Sequence, residues 1–263
     1  MKLLSYSFRQ QPRVEAHPFA LPPRKHVTYA AATRSNTEIA EAKSSLLDAI
    51  APTNRGGTAS STQRCAVLDA QVGLESLSGG PVDYNLLPGR WRLIYTTAPD
   101  VRPLLISERA SPFQVGNIYQ EFSTVERGEV QNIIEFRVPR LLREGTAVVR
   151  AKYDVRSPKR IRLAFVDAGV RDLNVADELE ALIAPAILPR SWLNHQVLLA
   201  LREAEVFVPL RTSLPGPFPG PFQSASNSLE RSFGSEYLLT YLDDDTLIGS
   251  QTGTGGTFIF ARS

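Results

Sequence analysis

The 263-residue sequence is poor in the side chains from which many binding and catalytic sites are built. Its one cysteine, Cys65, excludes an internal disulfide and fits a reducing compartment. Two of the three histidines fall in the first 33 residues, which leaves His195 as the one histidine of residues 34–263. A zinc site of cysteines and histidines needs three or four ligands, so no structural zinc site is expected.

The motifs of common enzymes and nucleotide-binding proteins are also missing. The sequence has no G-x-S-x-G elbow, no G-x-x-x-x-G-K-[ST] phosphate loop and no G-x-G-x-x-G between a strand and a helix. His195 stands beside Trp192 in an apolar segment, and we interpret it as a packed or edge histidine. The sequence therefore predicts neither an enzyme nor a bound cofactor.

Long apolar runs are absent too, since none approaches the roughly 18–20 residues that a membrane-spanning helix needs. The formal net charge is +2, but the excess of basic residues lies in residues 1–33, and the remainder is slightly acidic. Residues 34–263 contain no basic stripe. A nucleic-acid partner is therefore not expected.

The first 33 residues differ from the rest in composition. They are basic, rich in proline and contain one acid, Glu15, which is typical of an organelle transit peptide. The small residues Ala30 to Ala32 resemble a processing site. We predict a transit peptide over 1–33 and one domain over 34–263; the alternative is a tail without a targeting role.

Two helices are predicted at the start of this domain, within residues 34–80. The first, over 35–50, opens with Ser35 and Glu38 at capping-box spacing, and the second runs from about 62 to 77. Their apolar stripes are Ile39, Ala42, Leu46 and Ile50 in the first helix and Val67, Ala70, Leu74 and Leu77 in the second.

From Arg90 onward the apolar period changes from 3.6 to 2, which is typical of strands with one face in water. The alternation is clearest in 147–155 and 160–166, and two strands are predicted near 237–242 and 257–262. The pattern predicts a mainly β fold with N-terminal helices, in which residues 86–263 form an antiparallel meander or barrel.

Two segments are harder to assign. Residues 172–204 are compatible with a short helix or with a helix that runs into a strand. The proline-rich residues 209–222 are excluded from a central strand and are predicted to form a long loop.

The pair Gly89 and Trp91 forms a G-x-W at the start of the first predicted strand. In lipocalin-like barrels a tryptophan at this position closes the barrel floor and receives an arginine from the last strand. Arg262 is the candidate arginine, by a cation–π contact with the ring. The alternative is an ordinary tryptophan at the start of a strand.

The last 27 residues place Asp243, Asp244 and Asp245 and a glycine-rich stretch between two strands. The acidic run lacks the alternating ligands of an EF-hand, and no helix follows the glycines to bind a phosphate. We predict that Asp243 or Asp245 holds a turn through side-chain to backbone hydrogen bonds. The glycines Gly253, Gly255 and Gly256 are expected to supply unusual backbone angles.

Three stretches together resemble the plastid lipid-associated protein family, also called fibrillins or plastoglobulins. They are VLDAQVGLESLSGG, LLPGRWRLIYTT and the closing YLLTYLDDDTLIGSQTGTGGTFIFARS. The chain departs from the family where members carry arginines around the closing motif, because Ile248, Ser250 and Gln251 stand there.

The resemblance implies a lipocalin-like antiparallel β-barrel with N-terminal helices and a chloroplast location, at plastoglobules, thylakoids or in the stroma. It implies binding or carriage of a hydrophobic small molecule: a prenylquinone, tocopherol, carotenoid or fatty acid. A peripheral contact with a plastid membrane or lipid droplet, and a prenyl-lipid biosynthetic enzyme as partner, are further expectations from the family.

A barrel of about eight strands has room for one small apolar ligand. Which face points inward depends on register, and an error of one residue inverts the assignment. The predicted ligand-binding residues are Trp91, Ile94, Phe122, Ile134, Phe136, Tyr153, Phe165, Tyr241, Asp243 and Asp245.

The alternative function is a surface or scaffold protein that coats plastid lipid or holds an enzyme without an internal ligand. Its candidate contact is the proline-rich loop, with Leu214, Phe218 and Phe222. An enzyme built on carboxylates, tyrosine or lysine is the third alternative, without an assigned site.

Overall fold

A computed structural model of the chain describes residues 36–78, 80–106, 113–176, 205–209, 236–252 and 255–263. The two N-terminal helices are confirmed as α1, Asn36–Ile50, and α2, Ser61–Leu77, and a short α3 spans Arg102–Ile106. Helix α2 begins with a capping box in which Ser60 Oγ accepts from the Gln63 N–H at 3.2 Å. The box predicted at Ser35 lies outside the described residues.

Within the described residues, nine strands follow the helix pair, and every pairing among them is antiparallel. Their bounds are β1 Gly89–Thr96, β2 Gln114–Phe122, β3 Glu129–Val138, β4 Leu142–Ser157, β5 Arg160–Val175, β6 Val206–Pro209, β7 Glu236–Leu242, β8 Thr246–Gln251 and β9 Thr257–Arg262. Because β4 also pairs with β5, eight of the nine strands close into a ring. The short β6 pairs with β5 along the same edge as β7, farther along the strand.

The predicted mainly β fold with N-terminal helices is confirmed. Strand β8 was not predicted, and strand β5 reaches Val175, into the segment left open from residue 172. Residues 177–204, with His195, and the proline-rich loop from residue 210 lie outside the described residues.

Side chains from all eight ring strands meet in one buried cluster, which therefore lies inside the ring. We call it the interior cluster. Its members are Leu87, Trp91, Leu93, Leu105, Ile118, Phe122, Val130, Ala151, Tyr153, Ile161, Leu163, Phe165, Tyr237, Leu239, Leu247 and Phe260.

A second buried cluster lies between the helix pair and the outer face of four strands. We call it the helix-facing cluster. Its members are Leu46 and Ile50 of α1, Val67 and Leu74 of α2, and Tyr95, Tyr241, Ile248 and Ile259 of the strands. The apolar stripes of the two helices are thus buried against the ring.

Two β-bulges turn side chains of β1 and β7 toward the helix pair. In β1, Leu93 pairs with Phe260 but Tyr95 pairs with Ile259, so Ile94 is the extra residue. An extra residue shifts the alternation of side chains by one position. Tyr95 therefore faces the helices, although it shares the sequence parity of the inward-facing Leu93.

Strand β7 contains a second bulge, opposite β8. Leu239 pairs with Gly249 and Tyr241 with Ile248, which leaves Thr240 as the extra residue. Thr240 Oγ1 donates to Glu75 Oε1 of α2 at 2.6 Å. The bulge therefore also attaches the second helix to the ring.

Candidate ligand-binding site

One end of the ring is closed by Trp91. Its side chain is fully buried, and its indole N–H donates to the Leu87 carbonyl at 2.8 Å. The Arg262 guanidinium lies 4.2 Å from the ring centroid, so the predicted cation–π contact is confirmed. We call this the closed end.

The close approach of Arg262 explains why the first residue of the G-x-W is a glycine. The φ of Gly89 is 130°, and a Cβ there would lie 2.6 Å from Arg262 Nη1. The absence of a side chain lets the guanidinium pass and donate to the carbonyls of Leu86, at 2.6 Å, and Pro88, at 3.1 Å. Arg262 therefore joins the last strand to the segment that precedes the first.

The acidic run forms the turn between β7 and β8 at the closed end. Asp243 Oδ1 accepts from the backbone N–H groups of Asp245 and Thr246 at 3.1 and 2.9 Å. The predicted turn role of Asp243 is confirmed.

The glycines before β9 include one position where only glycine fits. Gly256 has a φ of 110°, and a Cβ there would lie 2.5 Å from Ala98 Cα. Gly253 lies outside the described residues.

Lys43 of α1 binds this turn. Its ammonium lies 2.6 Å from Asp243 Oδ2 and 2.5 Å from Asp245 Oδ1, and the Tyr241 hydroxyl also donates to Asp243 Oδ2. Burial raises the pKa of the Asp245 carboxyl, but hydrogen bonds from Lys43 and Thr246 outweigh it and hold this pKa below its ordinary value. Burial and the Asp243 carboxylate both raise the pKa of Tyr241. The carboxylates therefore serve as structural partners of a cation and of backbone N–H groups.

In the part of the chain that the structure describes, the opposite end of the ring is open. Here β2 and β4 begin and β3 and β5 end, and these termini surround a pocket of about 690 Å³. We call this the open end. The pocket is lined by Gln114, Val115, Gly116, Glu135, Phe136, Arg137, Arg143, Glu144, Gly145, Thr146 and Asp172.

Apolar side chains occupy the inward side of this pocket. Val115 pairs with Phe136 across β2 and β3, and Phe136 pairs with Gly145 across β3 and β4. A Cβ on Gly145 would lie 2.6 Å from the Phe136 ring, so the ring lies directly over the glycine. Charged residues such as Arg143 and Glu144 form the rim.

A polar pair lies deeper inside the ring. Gln120 and Asn132 face each other across β2 and β3, and Gln120 Nε2 donates to Asn132 Oδ1 at 3.0 Å. Gln120 stands between Ile118 and Phe122, which both belong to the interior cluster, so its side chain points inward.

The structure places the predicted ligand-binding residues in three groups. Trp91, Phe122, Tyr153 and Phe165 belong to the interior cluster, and Ile134 packs against it. Phe136 lines the pocket of the open end. Asp243 and Asp245 lie in the turn at the closed end.

The inward orientation predicted for Ile94 and Tyr241 is wrong. Tyr241 belongs to the helix-facing cluster and Ile94 packs against it, because of the bulges in β1 and β7. Gln120 and Asn132 were missed, although both have the sequence parity of inward-facing neighbours, and this was the signal that would have found them. Among the described residues, no helix has the length and apolar character needed to cross a membrane.

Comparison with known proteins identifies relatives over most of the chain. The profile of the PAP_fibrillin family matches residues 40–261. The chain is 40% identical over 229 residues to the probable plastid-lipid-associated protein 10, chloroplastic, of Arabidopsis thaliana. The aligned region covers 84% of this chain and 76% of that protein.

Two further relatives are more distant. The plastid-lipid-associated protein, chloroplastic, of Citrus unshiu is 29% identical over 86% of this chain and 69% of its own length. The chromoplast-specific carotenoid-associated protein C1, chromoplastic, of an Oncidium hybrid cultivar is 28% identical over 88% of this chain and 71% of its own length.

Proposed function

We propose that this chain, which belongs to the PAP_fibrillin family, binds one hydrophobic small molecule through the open end of its strand ring. The chain is a chloroplast protein, and the names of its relatives, plastid-lipid-associated or carotenoid-associated, support an association with lipid. The observation that carries the proposal is the pocket of about 690 Å³ at the open end, with Phe136 and Val115 on its inward side.

The exposure of inward-facing side chains supports this entrance. Toward the open end, Ile134 and Phe136 of β3 and Val149 of β4 are only half-buried. Trp91 and Leu93 of β1, nearer the closed end, are almost completely buried. An apolar ligand that enters at the open end would cover the half-buried side chains, and this burial supplies the driving force for binding.

The proposed ligands are a prenylquinone, a tocopherol, a carotenoid or a fatty acid. Residues 1–33 are the proposed transit peptide, and residues 34–263 are the proposed functional domain.

The test is to incubate the full chain with a thylakoid and plastoglobule lipid extract, repurify it, and identify retained molecules by native mass spectrometry. A stoichiometric prenyl lipid or fatty acid is the expected result. Ala168→Phe is the blocking variant, because Ala168 pairs with the inward-facing Val149. Ala164→Phe is the matched control on the same strand, since Ala164 pairs with the exposed Lys152 on the outer face.

Loss of ligand in Ala168→Phe but not in Ala164→Phe would locate binding inside the ring. A folded wild-type chain that retains no lipid would refute the proposal.

A surface role at plastid lipid is the second candidate, and the exposure of α2 favours it. Leu68 and Val72 are both 54% exposed and stand four residues apart, on the side of the helix away from Val67 and Leu74. Leu68→Ser/Val72→Ser would weaken binding to vesicles of plastid lipids if this face contacts lipid, without changing retention of an internal ligand.

A further inference from the structure

Gln120 presents an unpaired oxygen inside the strand ring. Its side chain is 6% exposed, and its amide nitrogen is used by Asn132. The oxygen, Oε1, is buried and has no hydrogen-bond partner among the described residues. An unsatisfied buried acceptor is costly, and each one in a native protein calls for an explanation.

The neighbours of Gln120 do not supply a donor. Across β1 it pairs with Trp91, whose indole N–H donates to the Leu87 carbonyl instead. Along β2 it is flanked on the inward side by Ile118 and Phe122, which are apolar. None of these three neighbours donates to the oxygen, and a hydrogen-bond donor from outside the chain would satisfy it.

The polar pair lies on the same inward face as the pocket wall, farther from the open end. Asn132 is half-buried, and so is Val149, its cross-strand partner on β4. The next inward position toward the pocket is occupied by Ile134, which is half-buried too, and the one after that is Phe136 of the pocket wall. A ligand that enters at the open end thus meets an apolar wall first and the Gln120 amide at the bottom.

We propose that Gln120 accepts a hydrogen bond from the hydroxyl of a ligand with an apolar chain. The inference rests on the proposed function and names the class of ligand for the same site. A hydroxyl both donates and accepts, so it pairs with the free end of the Gln120 amide. A hydrocarbon or an ether donates nothing to that oxygen, and an ionised carboxylate only accepts.

The test compares geranylgeraniol, a C20 isoprenoid alcohol, with its methyl ether, in which a methyl group replaces the hydroxyl hydrogen and so removes the donor. Their dissociation constants with the full chain are measured by native mass spectrometry. The wild-type protein is expected to bind the alcohol about fivefold to tenfold more tightly, which is the size of one added hydrogen bond.

Gln120→Met removes the amide at nearly constant volume, and the ratio of the two dissociation constants is expected to fall to about one. Gln131→Met is the matched control, because Gln131 pairs with the exposed Arg150 and faces outward on the adjacent strand. Asn132→Leu keeps the Gln120 oxygen, and the preference for the alcohol is expected to survive in it.

The possible results distinguish failure of the Gln120 hydrogen bond from failure of the proposed ligand-binding function. Equal binding of alcohol and ether by the wild-type chain would overturn the role of Gln120 while the proposed function stands, as would a preference that survives in a folded Gln120→Met. Binding of neither ligand would overturn the inference, whereas the lipid-extract experiment decides the proposed function separately. The wild-type comparison does not depend on the folding of any variant.

Discussion

At the closed end of the ring Trp91 is fully buried and hydrogen-bonded, whereas at the open end Phe136 is half-buried and lines a pocket. Both ends are formed by the same antiparallel sheet, so strand pairing alone does not explain the difference. The closed end adds long-range contacts from outside the sheet: Arg262 to the carbonyls before β1, and Lys43 of α1 to the turn after β7. At the open end Arg55 donates to the Gly116 carbonyl at 2.6 Å, but Ile134 and Phe136 remain half-buried among the described residues. We infer that the closed end contributes most of the packing energy and that the open end keeps room for a ligand.

The largest effect is expected from Trp91→Ala, because it empties the floor of the ring. The free energy of unfolding should fall by about 3–5 kcal/mol, as for other fully buried aromatic side chains. Phe136→Ala at the open end should cost about 1 kcal/mol, because that side chain is only half-buried. Urea unfolding followed by circular dichroism measures both. Equal losses from the two variants would contradict the difference between the ends.

Asp243→Ala is the next test, since one carboxylate there serves the turn, Lys43 and Tyr241 together. We expect a loss of about 2 kcal/mol in the free energy of unfolding, because bonds to a charged group are stronger than neutral ones. Asp244→Ala is the matched control. Its side chain is exposed, and no hydrogen bond of its carboxylate is described, so it should change stability by less than about 0.5 kcal/mol.

Two buried tyrosines inside the ring differ in whether their hydroxyl groups are hydrogen-bonded. The Tyr153 hydroxyl donates to the Ser123 carbonyl at 3.0 Å, whereas the Tyr237 hydroxyl has no hydrogen-bond partner among the described residues. Tyr153→Phe should therefore lower the free energy of unfolding by about 1 kcal/mol, and Tyr237→Phe should leave it unchanged or raise it slightly. Denaturant midpoints of the two variants decide this, and a clear loss in Tyr237→Phe would reveal a partner for its hydroxyl.

The sequence was informative where structure follows from local pattern. The helix stripes, the turn at Asp243 and the pairing of Trp91 with Arg262 were all predicted, because helical periodicity, turn chemistry and the G-x-W are visible in short stretches of sequence. The bulges were not predicted, because an extra residue in β1 or β7 is visible only against the partner strand. Alternation alone places Tyr241 with Tyr237 and Leu239, on the wrong face.

Contacts between residues far apart in the sequence could not be predicted, for a related reason. Lys43 and Asp245 are 202 positions apart, and nothing in either segment indicates the other. Strand β8 was missed because its glycine, serine and threonine content was interpreted as part of a turn. The Gln120–Asn132 pair was not predicted, because the inward-facing positions of the strands were expected to carry aromatic and aliphatic side chains.

The smallest expected effect is the pH dependence of the contact between α1 and the turn, because the Asp245 side chain is 67% exposed and solvent screens it. The pKa of Asp245 is lowered in the folded chain, so its contribution is present above the ordinary pKa of 3.8 and is lost as pH falls through the lower folded value. Burial lowers the pKa of Lys43, but its two carboxylate partners raise it above 10.5, so the Lys43 contribution is present below that value and is lost as pH rises through the folded one. Lys43→Met should therefore reduce stability at pH 7 and lose less than the wild type on acidification toward pH 3. Thermal unfolding of both proteins across this range measures the difference, and parallel curves would show that the contact between Lys43 and the turn contributes nothing to stability.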